Sequence, residues 1–390
     1  MSDVSVGSAV MPTYARSPLT LVRGEGSTVW DDAGNAYLDF AGGIAVTAIG
    51  HSHPRWVAAV TQQAATLAHV SNLWTTEPQQ DLAARLTRIA GFPSTVFFAT
   101  SGAEANEAAL KIARKHGRAN GRTGVVCLEG SFHGRTFATL AATGQPAKRA
   151  PFEPLVDGIV HVPPGDVDAL DAAVGPGTVA VLMEPILGEG GVAPLEHSYL
   201  RAASELCTER GALLMFDEVQ TGIGRTGEWF AFQAVEGLQP DVVTSAKALG
   251  GGLPIGACIA REGVEFTAGE HASTFGGGPI PCVAALAVLD VIDDEHLLAN
   301  CRERGHQLTE GLQGLPADVR GAGLLIGVAF DRPVAGAIVR ALMAQGFLAT
   351  EAGANVVRIS PALNVTEPQV AAFVEAFPEA VRIALEEETN

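Results

Sequence analysis

The chain has 390 residues, is 47% hydrophobic and carries a formal charge of −18. That length and apolar content suffice for a large core and two bodies, and the acidic balance argues against nucleic acid or anionic membrane surfaces as partners. Cys127, Cys207, Cys258, Cys282 and Cys301 are scattered, odd in number and lack C-x-x-C spacing, which argues against a disulfide framework or structural zinc and points to a reducing cytoplasm. The first stretch, "MSDVSVGSAVMPTYARSP", has no charged region followed by a long apolar one, so no signal peptide is expected. No apolar run approaches the length of a membrane span.

In chain order, "STVWDDAGNAYLDF" (27–40) reads as strand-like. From about residue 79 to 285, short apolar runs alternate with helical patterns. The runs are "TVFFAT" (95–100), "GVVCLEG" (124–130), "IVHVP" (159–163), "TVAVLMEP" (178–185), "ALLMFDEV" (212–219), "VVTSA" (242–246) and "GACIA" (256–260). Most are continuous rather than alternating, as strands covered on both faces are, and the interleaved helices predict an α/β fold with a mostly parallel seven-stranded sheet. Further on, "GLLIGVAF" (323–330) and "VVRISP" (356–361) read as strands, and a helix follows with Thr366 as its cap. These segments predict a smaller α+β body that the N-terminal segment joins. The predicted division is 61–284 for the large domain, and 1–60 with 285–390 for the small one.

Three motifs carry chemistry. "GIGRTG" (222–227) matches G-x-G-x-x-G, yet the acids Asp217 and Glu218 precede the glycines and Asp241 opens the next strand instead of closing it. A dinucleotide site needs the opposite order, so the match is weak. Asp217 ends an apolar run, where a buried carboxylate calls for a cation; a cap or structural ion pair and a partner for a protonated ring nitrogen both answer that need. Lys247, in "TSAKALGGGLP", sits among small residues where desolvation would leave a nucleophilic amine. Ser101 and Glu104 have capping-box spacing at the start of a helix whose N-terminus can hold an anion, or serve as an ordinary capped end. Pyridoxal 5′-phosphate would use all three at once: Lys247 on its aldehyde, Asp217 on its pyridine nitrogen and the helix start on its phosphate.

With "TSGAEANEAALKIAR", "SFHGRTFATLAATGQ", "EPILGEGGVAP", "LLMFDEVQTGIGRTG", "TSAKALGGGLP" and "STFGGGPIPC", the chain closely resembles the class III pyridoxal-phosphate aminotransferases of fold type I, nearest to their acetylornithine group. The resemblance runs from about Tyr14 to the C-terminus and makes "GIGRTG" a structural loop. It implies that Lys247 carries the cofactor as a Schiff base and shuttles the proton, that Asp217 pairs with the ring nitrogen, and that Gln220 lies near the phenolic oxygen. It implies that Phe132 stacks on the ring, that Ser101, Gly102 and Ala103 cradle the phosphate, and that Thr274 reaches the phosphate of the partner subunit in a homodimer. Arg135 would bind the donor's carboxylate, and Arg358 the α-carboxylate of 2-oxoglutarate or glutamate. Glu189 would neutralise Arg358 while an ω-amino donor is bound and swing away for glutamate. Tyr14, Ile44 and Ser273 are carried over as substrate contacts, and Glu184 as a structural member of the network.

Two departures bear on specificity. Ile44 stands where ornithine enzymes of the family have an aromatic, which disfavours free ornithine as donor. Gly278 and Ile280-Pro281 replace the family's usual Asn-Pro-Leu-Ala in the partner-side loop. His51 and His53 lack neighbouring acids in sequence and are read as turn or core residues, with no metal site. The expected reaction is transfer of the δ-amino group of N2-acetyl-L-ornithine to 2-oxoglutarate, in arginine biosynthesis, by a ping-pong cycle through pyridoxamine phosphate. The alternatives are 4-aminobutyrate, succinylornithine or N-succinyl-diaminopimelate as donor, an aminomutase or racemase on the same fold, or a non-catalytic relative.

Overall fold

A computed structural model describes residues 9–389. The N-terminal stretch forms three strands, β1 (Leu21–Glu25), β2 (Thr28–Asp31) and β3 (Ala36–Asp39). Asp31 sets the turn between the last two: its Oδ1 accepts the N–H groups of Ala33 and Asn35 at 3.1 and 2.8 Å. All seven apolar runs between residues 95 and 260 become strands of one sheet. They are β4 (Ser94–Ala99), β5 (Gly124–Leu128), β6 (Ile159–Val162) and β7 (Thr178–Met183), then, past the short ribbon β8 (Ile186–Leu187) and β9 (Ala193–Pro194), β10 (Leu213–Asp217), β11 (Val242–Ser245) and β12 (Gly256–Arg261).

The sheet order is β4-β12-β11-β10-β7-β5-β6. Only β12 runs against its neighbours; the other pairs are parallel. Every residue of β7, β10 and β11 is buried, which accounts for their unbroken apolar runs. The C-terminal hundred residues add β13 (Asp318–Ala322), β14 (Leu325–Ala329), β15 (Phe347–Leu348), β16 (Thr350–Glu351) and β17 (Val356–Ile359). Four of them form an antiparallel sheet in the order β13-β14-β17-β16. The fifth, β15, pairs with β3 in parallel, which ties the N-terminal segment to the C-terminal part.

Two local features place the site. The helix Gly102–Gly117 starts at Ser101, whose Oγ accepts the Glu104 N–H at 3.2 Å. The capping box is only half as the spacing predicts: the Glu104 carboxylate reaches the N–H of Thr100 at 2.6 Å, one residue further back, because the Thr100 hydroxyl offers it a second donor. Ala105, Ala108, Ala109, Ile112 and Ala113 are buried against the sheet, as the periodicity predicts. Strand β12 passes so close that a Cβ on Gly256 would lie 2.3 Å from the Ser101 carbonyl oxygen.

The second feature is "GIGRTG", which leads into a short 3-10 turn (Ala231–Ala234) and not into the helix a dinucleotide site requires. Arg225 within it is fully buried, and its Nη1 donates to the carbonyls of Leu324 and Pro361. It bolts the large sheet's loop to the chain just before β14 and just after β17.

Candidate active site

The C-terminal ends of parallel strands are where loops diverge and ligands bind. Ser101 follows β4, Asp217 ends β10, and Lys247 lies two residues past β11. All three border one cavity of about 390 Å³, together with Gly102, Ala103, Phe132, Gln220 and Glu189.

Asp217 is 3% exposed, and three donors fix its carboxylate. Oδ2 accepts from Asn106 Nδ2 at 2.7 Å and from His133 Nδ1 at 2.8 Å, and Oδ1 accepts the Val219 N–H at 3.0 Å. Asn106 is itself held, accepting from the Thr244 hydroxyl at 2.6 Å and donating to the His133 carbonyl at 2.8 Å. This network aims the carboxylate and leaves it a buried anion in want of a cation. Sequence reading missed Asn106, His133 and Thr244. A polar Asn106 among the alanines of a buried helix face was the available signal for one of them.

Lys247 keeps part of its surface open to the cavity. Burial, followed by the charge of Arg358, lowers its ammonium to about 8. A substantial neutral fraction near pH 8 is what a Schiff-base nucleophile needs. Its backbone is left-handed, at φ 39, a conformation that costs energy in a non-glycine residue and recurs at functional positions.

Arg358, on β17, is 2% exposed. Its guanidinium pairs with the Glu189 carboxylate, and its Nε donates to Thr350 Oγ1 at 3.2 Å. Burial raises the Glu189 carboxyl, but the Arg358 charge and hydrogen bond more than offset that and hold it below its ordinary value. Glu184 accepts the N–H groups of Phe132 at 2.8 Å and Gly188 at 3.0 Å, and burial pushes its carboxyl upward. Glu218 is pushed up to about 7 by burial and supports the loop beneath, accepting from Thr221 Oγ1 and the Phe232 N–H.

At the cavity mouth two cations face the Phe132 ring. The Arg135 guanidinium carbon lies 5.5 Å from its centroid and the Lys148 Nζ 5.0 Å. Lys148 was also missed, since "QPAKR" reads like any solvated basic pair.

Not every residue expected at the site is brought to this cavity. Tyr14 is 75% exposed, and Ile44, 41% exposed, sits on a turn packed against Lys247–Gly250. Ser273 and Thr274 line a separate cavity of about 710 Å³ with Asn72, Gln79 and His271. Large apolar side chains stand exposed near it, with Leu73 at 83%, Trp74 at 65% and Phe275 at 65%. His51 and His53 do have acidic neighbours in space: their Nε2 atoms lie 2.8 Å from Asp39 and 3.1 Å from Glu295.

An amine with a lowered pKa, a fixed buried carboxylate and a helix N-terminus around one cavity match the aldehyde, ring nitrogen and phosphate of pyridoxal 5′-phosphate. The donor set fits the group, and it defines a pyridoxal-phosphate-dependent enzyme. When bound, the cofactor supplies a carbonyl that captures amines and a ring that withdraws electrons from the adjacent bond.

The class III aminotransferase family model matches residues 10–381, and the chain belongs to that family. It is 50% identical to the acetylornithine aminotransferase of Streptomyces coelicolor over 375 residues, 95% of this chain and 92% of that relative. It is 50% identical to the enzyme of the same name from Mycolicibacterium smegmatis, over 97% of this chain and 98% of that one. Among solved structures it resembles an ornithine aminotransferase from Toxoplasma gondii (TM-score 0.92, 31% identity, 98% of this chain and 94% of that one). It also resembles an N-acetylornithine aminotransferase from Stenotrophomonas maltophilia (TM-score 0.84, 35% identity, 96% and 98%).

Proposed function

We propose that this transaminase moves the δ-amino group of N2-acetyl-L-ornithine to 2-oxoglutarate in two alternating half-reactions. The observation that carries the reading is the Arg358–Glu189 pair next to Lys247. A donor reacting at a terminal amine has no carboxylate on the reacting carbon, so Glu189 stays on Arg358. Glutamate and 2-oxoglutarate have one, and take the place of Glu189 on the guanidinium fork. A mutase or racemase has no use for such an exchange.

We assign the remaining roles on the resemblance, with their places around the cavity in support. Lys247 Nζ would hold the cofactor's aldehyde and would move the proton at the reacting carbon. Asp217, aimed by Asn106 and His133, would pair with the ring nitrogen. Ser101, Gly102 and Ala103 would hold the phosphate, Phe132 and Gln220 would contact the ring, and Arg135 would take the donor's own carboxylate. We assign the cofactor to a body spanning 61–284, with the described parts of 1–60 and 285–390 forming the smaller one. Thr274 reaches the site of a second copy of the chain, which makes the enzyme a homodimer, and Ser273 beside it is the expected substrate contact; their place in a cavity other than that of Lys247 and the exposed apolar side chains beside it support this. Among the described residues no helix is long and apolar enough to cross a membrane. Five buried free thiols suit a cytoplasmic setting.

The relatives named above support the acetylated donor, and so does Ile44 against the free ornithine that the Toxoplasma neighbour's name suggests. Initial rates with acetylornithine, succinylornithine, N-succinyl-diaminopimelate, 4-aminobutyrate and ornithine test the proposal. A higher kcat/KM for any of the last four overturns the donor assignment, and turnover without an oxo-acid acceptor overturns the reaction.

A further inference from the structure

Residues 42–45 turn the wrong way. Gly42, Gly43, Ile44 and Ala45 have φ values of 56, 61, 64 and 63, a full left-handed turn of which two members are not glycine. One of these is β-branched, the residue type least suited to that region. Such a run persists only where its surroundings over-determine it.

The surroundings are specific. Asp39, 6% exposed, accepts the N–H groups of Ala41 and Gly42 on Oδ1 at 3.0 and 2.8 Å, and His51 Nε2 lies 2.8 Å from its Oδ2. From the other side, Ser360 donates its hydroxyl to the Ala41 carbonyl at 2.9 Å and its N–H to the Phe40 carbonyl at 2.7 Å. A Cβ on Gly42 would lie 2.4 Å from the Ser360 carbonyl oxygen, so the two chains touch. Ser360 comes two residues after Arg358, and the turn packs on Lys247–Gly250 and runs into Val46 on the cavity wall.

We propose that Asp39, His51 and Ser360 are positioning residues for donor selectivity, a clamp that holds the 42–45 turn left-handed and so fixes Val46 in the cavity wall, with the exposed Ile44 two residues before it on the same turn. None of the three borders the cavity, so they act through the turn. The inference rests on the proposed donor reaction for its substrate, but on the turn alone for its mechanism.

The test measures the donor and glutamate half-reactions separately in the holoenzyme. Asp39→Ala is expected to raise the KM for acetylornithine about tenfold with kcat within about threefold, and to shrink the preference over ornithine by a similar factor. The glutamate half-reaction, anchored on Arg358, changes less. Adding Ala45→Gly, which removes strain at φ 63 without touching Ile44, is expected to restore at least half of the logarithmic loss. His51→Gln and Ser360→Ala act in the same direction and serve if Asp39→Ala does not fold. Unchanged selectivity in all three clamp variants overturns the proposal. So does a loss that Ala45→Gly leaves untouched while the melting temperature falls, since that is the behaviour of a merely structural contact. If the wild type ignores acetylornithine, the donor assignment fails by itself, and the clamp is read on the best donor of the panel against ornithine.

Discussion

Replacing Glu189 by glutamine tests how one pocket serves two kinds of substrate. Glu189 is the carboxylate paired with Arg358, whose side chain is 2% exposed against 25% for Glu189. Ion pairs at the surface contribute about 0–1 kcal/mol, and breaking a fully buried one costs about 3–5. With one partner buried and the other a quarter exposed, this pair falls between, at about 2 kcal/mol. Under the proposed exchange, an incoming glutamate has to displace Glu189 before it can use the guanidinium, and so meets that cost on every turnover. In Glu189→Gln the displacement is gone, and at 1.36 kcal/mol per decade the glutamate half-reaction gains roughly 10–30-fold in kcat/KM. The acetylornithine half-reaction loses, because Arg358 then stands uncompensated beside Lys247, and its charge opposes an amine entering as a cation. Rapid-mixing spectra of the cofactor with each amino substrate alone separate the two. Equal losses in both half-reactions would show that the pair is structural and that no exchange takes place on Arg358.

Three further outcomes are expected. Borohydride reduction of the holoenzyme should place the label on Lys247, and Lys247→Ala should bind the cofactor without covalent attachment; label on another lysine refutes the assignment. In the cofactor-free protein the folded state binds the Lys247 proton less readily than the unfolded chain does, about 8 against the ordinary 10.5, so burying the cation destabilises fully below pH 8 and progressively less towards 10.5. Lys247→Met should therefore exceed the wild type in stability by on the order of 2 kcal/mol at pH 7, discounted for the open side of the cavity, and the gap should narrow above pH 8 and close only above 10.5; a gap independent of pH in urea melts would refute the desolvation. Asn106→Ala removes donors to Asp217 and to the His133 carbonyl and strands the Thr244 hydroxyl, and should cost roughly 3 kcal/mol. A loss under about 1 kcal/mol would mean that the network does not hold Asp217.

The five inner strands of the large sheet were legible in the chain because burial on both faces leaves an unbroken apolar run, a signal that needs no knowledge of neighbours; the edge strands β4 and β6 are only partly buried and were read from their apolar runs. Lys247, Asp217 and Ser101 were legible for a related reason: a charge beside apolar or small residues, or a capped helix after a strand, is a local anomaly that chemistry can interpret. "GIGRTG" was resolved from the order of its acids, and the missing helix and the buried Arg225 give that its structural form.

What the sequence could not carry was anything made by convergence of distant segments. Asn106, His133 and Thr244 become the frame of Asp217 only because a helix, a loop and β11 meet there, and Lys148 matters only because it lands on Phe132. The left-handed turn at 42–45 lay further out of reach, for it holds a β-branched residue where local preference forbids one. Local interactions set which strands and helices form and which side chains carry unusual chemistry. The direction of each carboxylate, the partner of each buried charge and the tolerated strain are sums over contacts from far along the chain, and these exist only once it has packed.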